Sequence, residues 1–528
     1  MERNTMKNIY KGLTVLLGFM LASLAMNAQE RDGGYENTPA AFEKFAMLRL
    51  WHNTPNAAGS MLEKHRRYAD AKFGYKIYDG DFNRPQAGEA GNSFTFSTEG
   101  GGAVNNKFYA WGSFDYSRDK LKDALYNASI LDPFRDMPYM VGDTNNSDWN
   151  NQHYILKWRV ATPRYWNFLS FGIAGKYQTS IGAKQVDPRV ESRFYTFMIQ
   201  PGLVFSFSEQ HHLGFNFEYY SIRESSEMNN VNTYVDQHYW PMYGLGTSVE
   251  KIGSGYTTNY NGNSVGGGLQ YNYQGAVNLM VSGSYAKKVE DAEISFTNPQ
   301  SNGTVKDQRI KASLDMYFDC SENYTSVVRM AYQRKDADGI QYIQTYNSSE
   351  DNAGYVTWYK SVRSTYQTDA VQFSYDLMKN RGDAYVWKAG ITLNYENNRE
   401  TYVLPESWRE WENLKFGVHG KYNARLSDKL TKRLLIGLGC WYTTNLSGKY
   451  DYNGQNPESP MVTRFMPRDF SYLSSDYVDG RIGLTYSQRV KADKKANLFG
   501  KAEFRYLNTS NADFKDKKIM QFSIGCNF

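Results

Sequence analysis

Cysteine is scarce in this chain, with only three in 528 residues. Cys320, Cys440 and Cys526 are too few and too far apart to form a disulfide framework, so the fold does not depend on covalent cross-links. We expect three free thiols. The strand patterns described below place Cys440 and Cys526 on outward faces and Cys320 at a turn.

Long apolar runs are also missing after residue 28. The mean hydropathy is −0.65, and a membrane-spanning helix needs roughly 20 consecutive apolar residues, so a helical membrane protein is excluded. Residues 13–25 are apolar, follow Lys7 and Lys11, and end at the small-residue sequence Met26-Asn27-Ala28. At about 13 residues this run is too short for an anchor, so residues 1–28 are predicted to be a secretory signal peptide.

Neither charge nor motif points to nucleic acid or to catalysis. The formal net charge is +5, which is too small an excess to indicate a nucleic-acid partner. The chain has seven histidines, but no zinc spacing, phosphate loop or dinucleotide fingerprint, and no spacing selects a Ser/His/Asp triad. The adjacent His211 and His212 point to opposite faces of a strand and make a weak metal pair. We therefore predict no enzyme, no cofactor and no metal.

The chain is rich in aromatic residues and glycine, with 43 Tyr, 29 Phe, 11 Trp and 44 Gly. Its last residues alternate strictly between apolar side chains and polar or small ones. Because a strand has a period of two, one face suits lipid and the other suits a watery lumen, as in the closing strand of an outer-membrane β-barrel. Phe522 and Phe528 are the predicted signal for the barrel-assembly machinery. The apolar face consists of Met520, Phe522, Ile524, Cys526 and Phe528.

The same alternation recurs along the chain, for example in residues 213–219, 371–377 and 387–395. Short and long connections follow in turn, as expected of an outer-membrane barrel; a soluble β-sandwich alternates too, but seldom with this rhythm. The predicted fold is all-β: a transmembrane antiparallel outer-membrane β-barrel over residues 68–528, with about 18 strands or, alternatively, 16. Pro201 predicts a bulge or break in the strand at 194–207. The predicted short connections are 208–211, 274–275, 320–323, 379–384, 427–432 and 491–496, and the long ones are 119–151, 224–264, 336–365 and 448–474.

Residues 29–67 precede the barrel and are predicted to form a short helical hatch. Thr38 can cap a helix and Pro39 suits its first position. We predict a helix over residues 39–51, held inside or under the barrel, because its apolar residues need burial. The alternative is a periplasmic tail with transient helix. The predicted apolar face consists of Phe42, Phe45, Ala46 and Leu50.

The inward face of the predicted strands carries more basic than acidic residues. A basic wall in a confined lumen concentrates anions, which predicts a preference for acidic or phosphorylated solutes. The alternative is that the charges pair across strands or with the hatch and only hydrate the lumen. The acidic members are Asp115, Glu218, Asp315, Asp376, Asp479 and Glu503. The lumen-lining basic candidates are Lys107, Lys157, Arg159, Lys176, Arg309, Lys311, Arg329, Lys388, Lys415, Lys421, Arg481, Lys501 and Arg505, with His419 as a further wall residue.

One long connection has a distinctive segment at residues 131–139. Its prolines, Pro133 and Pro138, and its aromatic residues predict a rigid fold-back packed into the mouth of the pore. Other connections carry aromatic residues at 239–243 and 358–359. These are predicted to belong to an outer girdle or to loop–loop packing, with stacking on sugars or on a partner protein as the alternative.

Short phrases in the chain resemble known families. Asp132-Pro133-Phe134-Arg135, Pro138-Tyr139 and Gly112-Ser113-Phe114 are similar to an uncharacterised family of outer-membrane barrels of Bacteroidota. Such barrels often accompany TonB-dependent receptors and surface lipoproteins, which implies an accessory role in nutrient uptake. Asn56-Ala57-Ala58-Gly59 resembles the Asn-Pro-Ala-Gly phrase in the hatch of fatty-acid transporters, with Ala57 in place of proline, and this likeness implies a hatch. Residues 29–67 are too short for the plug of a TonB-dependent receptor itself.

Together these features predict an integral protein of the bacterial outer membrane that passes small solutes, anionic ones included. It would act as a porin-like channel or as an uptake accessory linked to a TonB-dependent system. Its predicted partners are outer-membrane lipid, the barrel-assembly machinery, and a TonB-dependent receptor or surface lipoprotein. One alternative is a closed structural or binding barrel that docks such a partner. A further alternative is a transporter of hydrophobic compounds or an enzyme whose site lies at the barrel rim.

Overall fold

Antiparallel strands, joined in chain order, make up most of the molecule. The computed structural model describes residues 36–63, 66–104, 107–253, 255–295, 298–349, 353–491 and 496–528, and the predicted signal peptide lies outside them. Within these residues, eighteen strands form one sheet. The strands are β1 (Tyr68–Asp79), β2 (Ala90–Val104), β3 (Phe108–Ala124), β4 (Ser147–Ala161), β5 (Leu169–Lys184), β6 (Arg189–Ser206), β7 (His211–Asn229), β8 (Tyr256–Gln274), β9 (Val277–Ile294), β10 (Gln300–Ser321), β11 (Tyr324–Asn347), β12 (Gly354–Arg381), β13 (Ala384–Val403), β14 (Glu406–Ser427), β15 (Lys432–Asp451), β16 (Tyr477–Arg489), β17 (Asn497–Thr509) and β18 (Asp516–Asn527).

The sheet closes on itself. Each strand pairs with its neighbour in sequence, and β1 pairs antiparallel with β18 from Asp70↔Asn527 to Asp79↔Lys518. A closed ladder leaves no sheet edge, so the backbone groups of the wall are satisfied within it. The prediction of 18 strands is confirmed, and the alternative of 16 is wrong.

The two faces of the wall differ in the sense that the sequence predicts. Large apolar side chains point outward; Phe73 on β1 is 48% exposed and Ile524 on β18 is 66% exposed. Inward charged side chains are shielded instead, with Lys388 at 7% and Asp479 at 0%. A soluble sheet buries its apolar face, so this inverted arrangement is that of a barrel wetted by lipid outside. Among the described helices, none has the length and apolar character required to cross a bilayer.

Short turns join the strands at one mouth of the barrel, and most of the longer loops lie at the other. We call these ends the turn mouth and the loop mouth. One predicted long loop is wrong: residues 336–365 are mainly strand, because β11 and β12 continue as a paired hairpin to Asn347↔Gly354. This hairpin extends past the last β13 pair, Ser364↔Tyr402. Beyond the lipid, no apolar alternation is required, so the sequence pattern that marks the other strands fades there.

Strand β6 contains the break predicted at Pro201. Its ladder with β7 runs to Ile199↔Tyr219 and resumes at Gly202↔Asn216 in the same register. Proline has no N–H to donate, so two residue pairs are skipped without a bulge.

The elements outside the wall lie at the two mouths. At the turn mouth are helix α1 (Pro39–Leu48) and a 3₁₀ turn (Ala57–Leu62). The predicted helix therefore ends at Leu48 rather than residue 51, and the Thr38 hydroxyl donates to Glu36 instead of capping it. At the loop mouth are a 3₁₀ turn (Pro85–Ala87), a π-helical turn (Met461–Phe465), helix α2 (Met466–Leu473), and the short strands Val141–Gly142, His238–Gly244, Thr247–Ser248 and Lys251–Ile252.

The three cysteines are free thiols, as predicted. Cys320 and Cys440 are exposed and Cys526 is half-buried. Cys320 lies within β10 rather than at a turn.

Candidate functional site: a lumen between a hatch and a cap

Residues 36–63, which we call the hatch, cross the turn mouth. Helix α1 places Ala40, Ala41 and Met47 against apolar side chains of β11, β12, β13 and β15. At the other side of the lumen, Trp51 donates from Nε1 to Asn272 of β8 at 3.0 Å. A cavity of about 550 Å³ remains between the hatch and strands β8–β12. The hatch therefore bridges the mouth without filling it.

The 3₁₀ turn of the hatch sits in a cradle of wall glycines. The Asn56 amide donates to the carbonyls of Leu203 and Phe215 at 3.0 and 3.1 Å and to Gln270 at 2.9 Å. A Cβ at Gly172 would lie 2.2 Å from the backbone nitrogen of Ala58. The other two cradle positions are Gly202 and Gly214, where a Cβ would meet the Asn56 side chain at 2.2 and 2.9 Å. Only wall positions without a side chain allow so close an approach.

Glu43 of α1 is the contact between the hatch and the basic wall. Lys388 donates to its Oε1 at 2.7 Å, Lys421 to its Oε2 at 2.8 Å, and the Tyr385 hydroxyl to its Oε2 at 2.9 Å. Burial opposes ionisation of this carboxyl, but Lys421 and Lys388 outweigh it and lower the pKa of Glu43 to about 2. Glu43 is therefore a carboxylate at neutral pH.

A second carboxyl is enclosed within the hatch itself. Glu63 accepts from the backbone amides of Trp51 and His52, and its Oε2 lies 3.6 Å from Arg49. Burial raises the pKa of Glu63 to about 7, although the Arg49 guanidinium works against that shift. Arg159 of β4 anchors the same region by donating to the carbonyl of Thr54 at 2.6 Å.

Three connections fold into the loop mouth and form an apolar cap. They are residues 125–146, 230–253 and 452–476, and two of them join through Val141↔Pro241 and Gly142↔Trp240. The predicted fold-back is present, since Met137 and Tyr139 are buried here and Tyr260 of the wall donates to the Tyr139 carbonyl at 3.0 Å. The loop members of this cluster are Tyr126, Ile130, Met137, Tyr139, Met140, Trp240, Met242, Leu245, Met461, Phe465 and Met466.

Buried ion pairs fasten the cap to the wall. Asp469 of α2 accepts from Arg84 at 2.6 Å and from Arg409 of β14 at 2.9 Å. Burial opposes ionisation, but the two guanidinium groups hold the pKa of Asp469 below its usual range. Arg135 of the fold-back pairs with Glu224 of β7 and lies 3.1 Å from Glu290 of β9.

Between hatch and cap the inward face of the wall is charged, and we call the part of the lumen that it borders the chamber. On β14, Asn413 donates to the carbonyl of Leu473 in the cap and Lys421 reaches Glu43 in the hatch. Lys415 and His419 alternate inward between them. His419 bonds Asp376 at 2.8 Å and stacks on Trp441, over which Arg481 lies at 4.3 Å. The chamber is therefore lined by polar and aromatic groups rather than filled by apolar ones.

The structure brings most of the predicted basic residues into ion pairs. Arg481, Arg505 and Lys415 converge on one buried carboxylate, Asp479. Arg159 binds hatch carbonyls, Lys157, Lys176 and Lys311 lie on β4, β5 and β10, and Lys107 lies in the turn before β3. The remaining pairs are Arg309–Asp307, Arg329–Asp315, Lys388–Glu43, Lys421–Glu43 and Lys501–Glu503. Sequence reasoning missed Glu43 and the glycine cradle, for which the run of small residues after Asn56 was the available signal.

One cluster resembles a hydrolytic triad. His153 Nδ1 lies 2.8 Å from Ser180 Oγ, and its Nε2 lies 3.2 Å from Asp119. Ser180 is 2% exposed, and its strand is paired on both sides with β4 and β6. An acyl-transfer site needs backbone amides that are free to donate to an oxyanion. The backbone amides around Ser180 instead donate to the neighbouring strands of the sheet. Among the described residues, no group of three or more His, Cys, Asp or Glu is arranged to hold a metal ion.

Comparison with known proteins gives one family match. The family described as "Family of unknown function (DUF6850)" matches residues 57–528, and no curated protein sequence matches the chain. Among solved structures, the chain is similar to BauA, the ferric preacinetobactin receptor from Acinetobacter baumannii, with a TM-score of 0.41 and 9% identity over 88% of this chain and 80% of that one. It is also similar to the ferric yersiniabactin uptake receptor FyuA from Yersinia pestis, with a TM-score of 0.38 and 9% identity over 88% and 80%. At this level of similarity we infer nothing from either about substrate or partner.

Proposed function

The chain belongs to the family of unknown function DUF6850, and from its geometry we propose that it is an integral outer-membrane barrel for the gated uptake of small polar solutes, including anions. The outward apolar face suits outer-membrane lipid, and short turns of such barrels lie on the periplasmic side. The hatch then faces the periplasm and the cap faces the cell exterior.

One observation carries this proposal: the barrel closes without its hatch. The β1–β18 ladder completes the wall, whereas the hatch is held to it by hydrogen bonds and ion pairs of side chains and by two apolar clusters, outside the backbone ladder. The hatch can therefore leave while the wall stays intact. An 18-strand wall is wide enough to leave an aqueous channel once the mouths are clear.

Planar-bilayer conductance tests the proposal with four proteins. They are the wild type, a variant lacking residues 36–63, the cap variant Asp469→Asn, and the combination of both changes. We expect the wild type to conduct rarely and the combined variant to give stable ionic steps, since either closure alone obstructs the path. A combined variant that keeps the heat-dependent gel mobility of a folded barrel yet does not conduct refutes gated uptake.

A second candidate is a closed binding barrel that docks a surface lipoprotein or a TonB-dependent receptor. The β11–β12 hairpin favours it, because its tip stands beyond the neighbouring strands and carries Trp358 at 73% and Ile343 at 55% exposure. Exposed aromatic residues of this kind are common at protein interfaces. If this second candidate is right, the combined variant does not conduct in the planar bilayer. The wild type should then copurify from gently solubilised membranes with a partner, and Trp358→Ser should lose that partner.

A further inference from the structure

The Glu43 contact has the composition of a ligand site. All three donors, Lys388, Tyr385 and Lys421, come from the wall strands β13 and β14, while the acceptor comes from the hatch. Tyr385 is 0% and Lys388 7% exposed. The site is thus built into the barrel, and the carboxylate that fills it arrives on a separate segment.

Charge balance shows what happens when Glu43 leaves. Lys388 and Lys421 carry two positive charges, and besides Glu43 the nearest carboxylate is Asp376, 3.7 Å from Lys388. Asp376 is already shared with His419. Withdrawal of Glu43 therefore leaves two ammonium groups beside one carboxylate. The side chain of Lys388 is 8% and that of Lys421 35% exposed with the hatch in place, so water offsets part of the cost of the unpaired charge. Another anion that takes the place of Glu43 removes this cost and favours the open state by mass action.

A path of basic groups leads from the chamber to this site. The inward positions of β14 descend from Lys415 through Gly417 and His419 to Lys421, at about 6.6 Å per step of two residues. Arg481 lies beside this path, above Trp441. Trp441 itself lies flat against the wall, because a Cβ at Gly417 would come within 1.9 Å of its ring. Lys415, His419 and Lys421 therefore place basic side chains above and below Gly417 on this face of the wall.

We propose that Lys388, Lys421 and Tyr385 form a carboxylate-binding site that Glu43 occupies in the closed barrel and that a carboxylate of the incoming solute occupies when the hatch leaves. This inference rests on the proposed function, and it names both the chemical class of the solute and the event that releases the hatch. Glu43 acts as an internal substitute for the solute.

Cysteine labelling of the hatch tests this site in the full chain. Ser60, which is 1% exposed, is replaced in Ser60→Cys, with Cys320, Cys440 and Cys526 changed to serine so that only the hatch reacts. The probe is glucuronate, with glucose as its neutral counterpart. We expect glucuronate but not glucose to speed labelling of the reconstituted protein. In Glu43→Gln, the glucuronate concentration that gives half of the maximal labelling rate should fall by about tenfold, because the competing carboxylate of Glu43 is gone.

The remaining variants separate the possible outcomes. Lys388→Gln with Lys421→Gln should abolish the glucuronate response, whereas Glu36→Gln, which alters the hatch carboxylate 3.6 Å from Arg433, should keep the wild-type response. Equal labelling of the Ser60→Cys protein in glucuronate and glucose, with Glu43, Lys388 and Lys421 unchanged, overturns the site, even if the combined hatch and cap variant conducts. If the combined variant does not conduct but labelling still responds to glucuronate, the proposed uptake function is wrong and the carboxylate-binding site stands.

Discussion

Gly172 offers a way to release the hatch without changing any charge. It lies on β5 under the 3₁₀ turn, and a methyl group there would lie 2.2 Å from the nitrogen and 2.5 Å from the Cα of Ala58. Both are backbone atoms, so no side-chain rotation relieves the clash. In Gly172→Ala, either the wall or the hatch must move.

The hatch is the part that should yield. Strand β5 is paired along its length with β4 and β6, whereas the turn has no place in the ladder. It is held by three hydrogen bonds from Asn56, each of about 0.5–1.5 kcal/mol, and by apolar packing of Ala58. Overpacking of this kind costs about 1–3 kcal/mol. We therefore expect the population of undocked hatch to rise by about 5- to 150-fold.

The Ser60→Cys labelling rate reports this population, because Ser60 is buried until the turn lifts. Gly283→Ala is the matched control, since a Cβ at Gly283 meets nothing within 4 Å. Faster labelling of Gly172→Ala, with an unchanged heat-dependent gel mobility of the barrel, supports a detachable hatch. Equal labelling of the two alanine variants would mean that the hatch is an integral part of the wall, which contradicts the proposal.

Two further predictions concern the buried carboxyls of the hatch and the cap. The pKa of about 7 for Glu63 lies above the ordinary 4.5, so the docked hatch binds the extra proton and docking weakens as pH rises from about 4.5 to about 7. Between pH 6 and pH 8 the loss is about 1.4 kcal/mol. The labelling rate of Ser60→Cys, divided at each pH by that of a protein whose only thiol is the exposed Cys320 to remove the intrinsic effect of thiol ionisation, should rise roughly tenfold. Glu63→Gln should flatten this ratio, and a ratio independent of pH with Glu63 in place refutes the prediction. Asp469→Asn removes the carboxylate shared by Arg84 and Arg409 and should destabilise the cap by about 3 kcal/mol, so that protease cuts residues 452–476 of the reconstituted barrel. Glu410→Gln, which alters a half-buried carboxylate 4.0 Å from the exposed Lys449, should leave the cap resistant.

Much of the fold follows from one-dimensional pattern. Strict alternation assigned residues 520–528 to lipid or lumen, and Met520, Phe522 and Ile524 are exposed on the outward face as predicted. The same alternation along the other strands predicted that Lys388, Lys421 and Arg481 face the lumen. It could not name their partners, because those lie on adjacent strands or on the hatch, hundreds of residues away in the case of Glu43.

The hatch shows where sequence reasoning ended. The small residues after Asn56 suggested a hatch, but Gly172, Gly202 and Gly214 are ordinary strand glycines until the register of β5, β6 and β7 brings them together. Similarly, Glu43 reads as a surface residue of an amphipathic helix, and only docking buries it between two lysines.

By itself, the sequence determined the barrel, a strand number of about 18 and the alternation of outward and inward side chains along its strands, because a period of two and the contrast between lipid and water act locally along every strand. Only the tertiary structure decided how the hatch and the cap occupy the two mouths and which carboxylate holds the hatch. Those contacts join segments distant in the chain, and their strength depends on burial and on distances that no local pattern encodes.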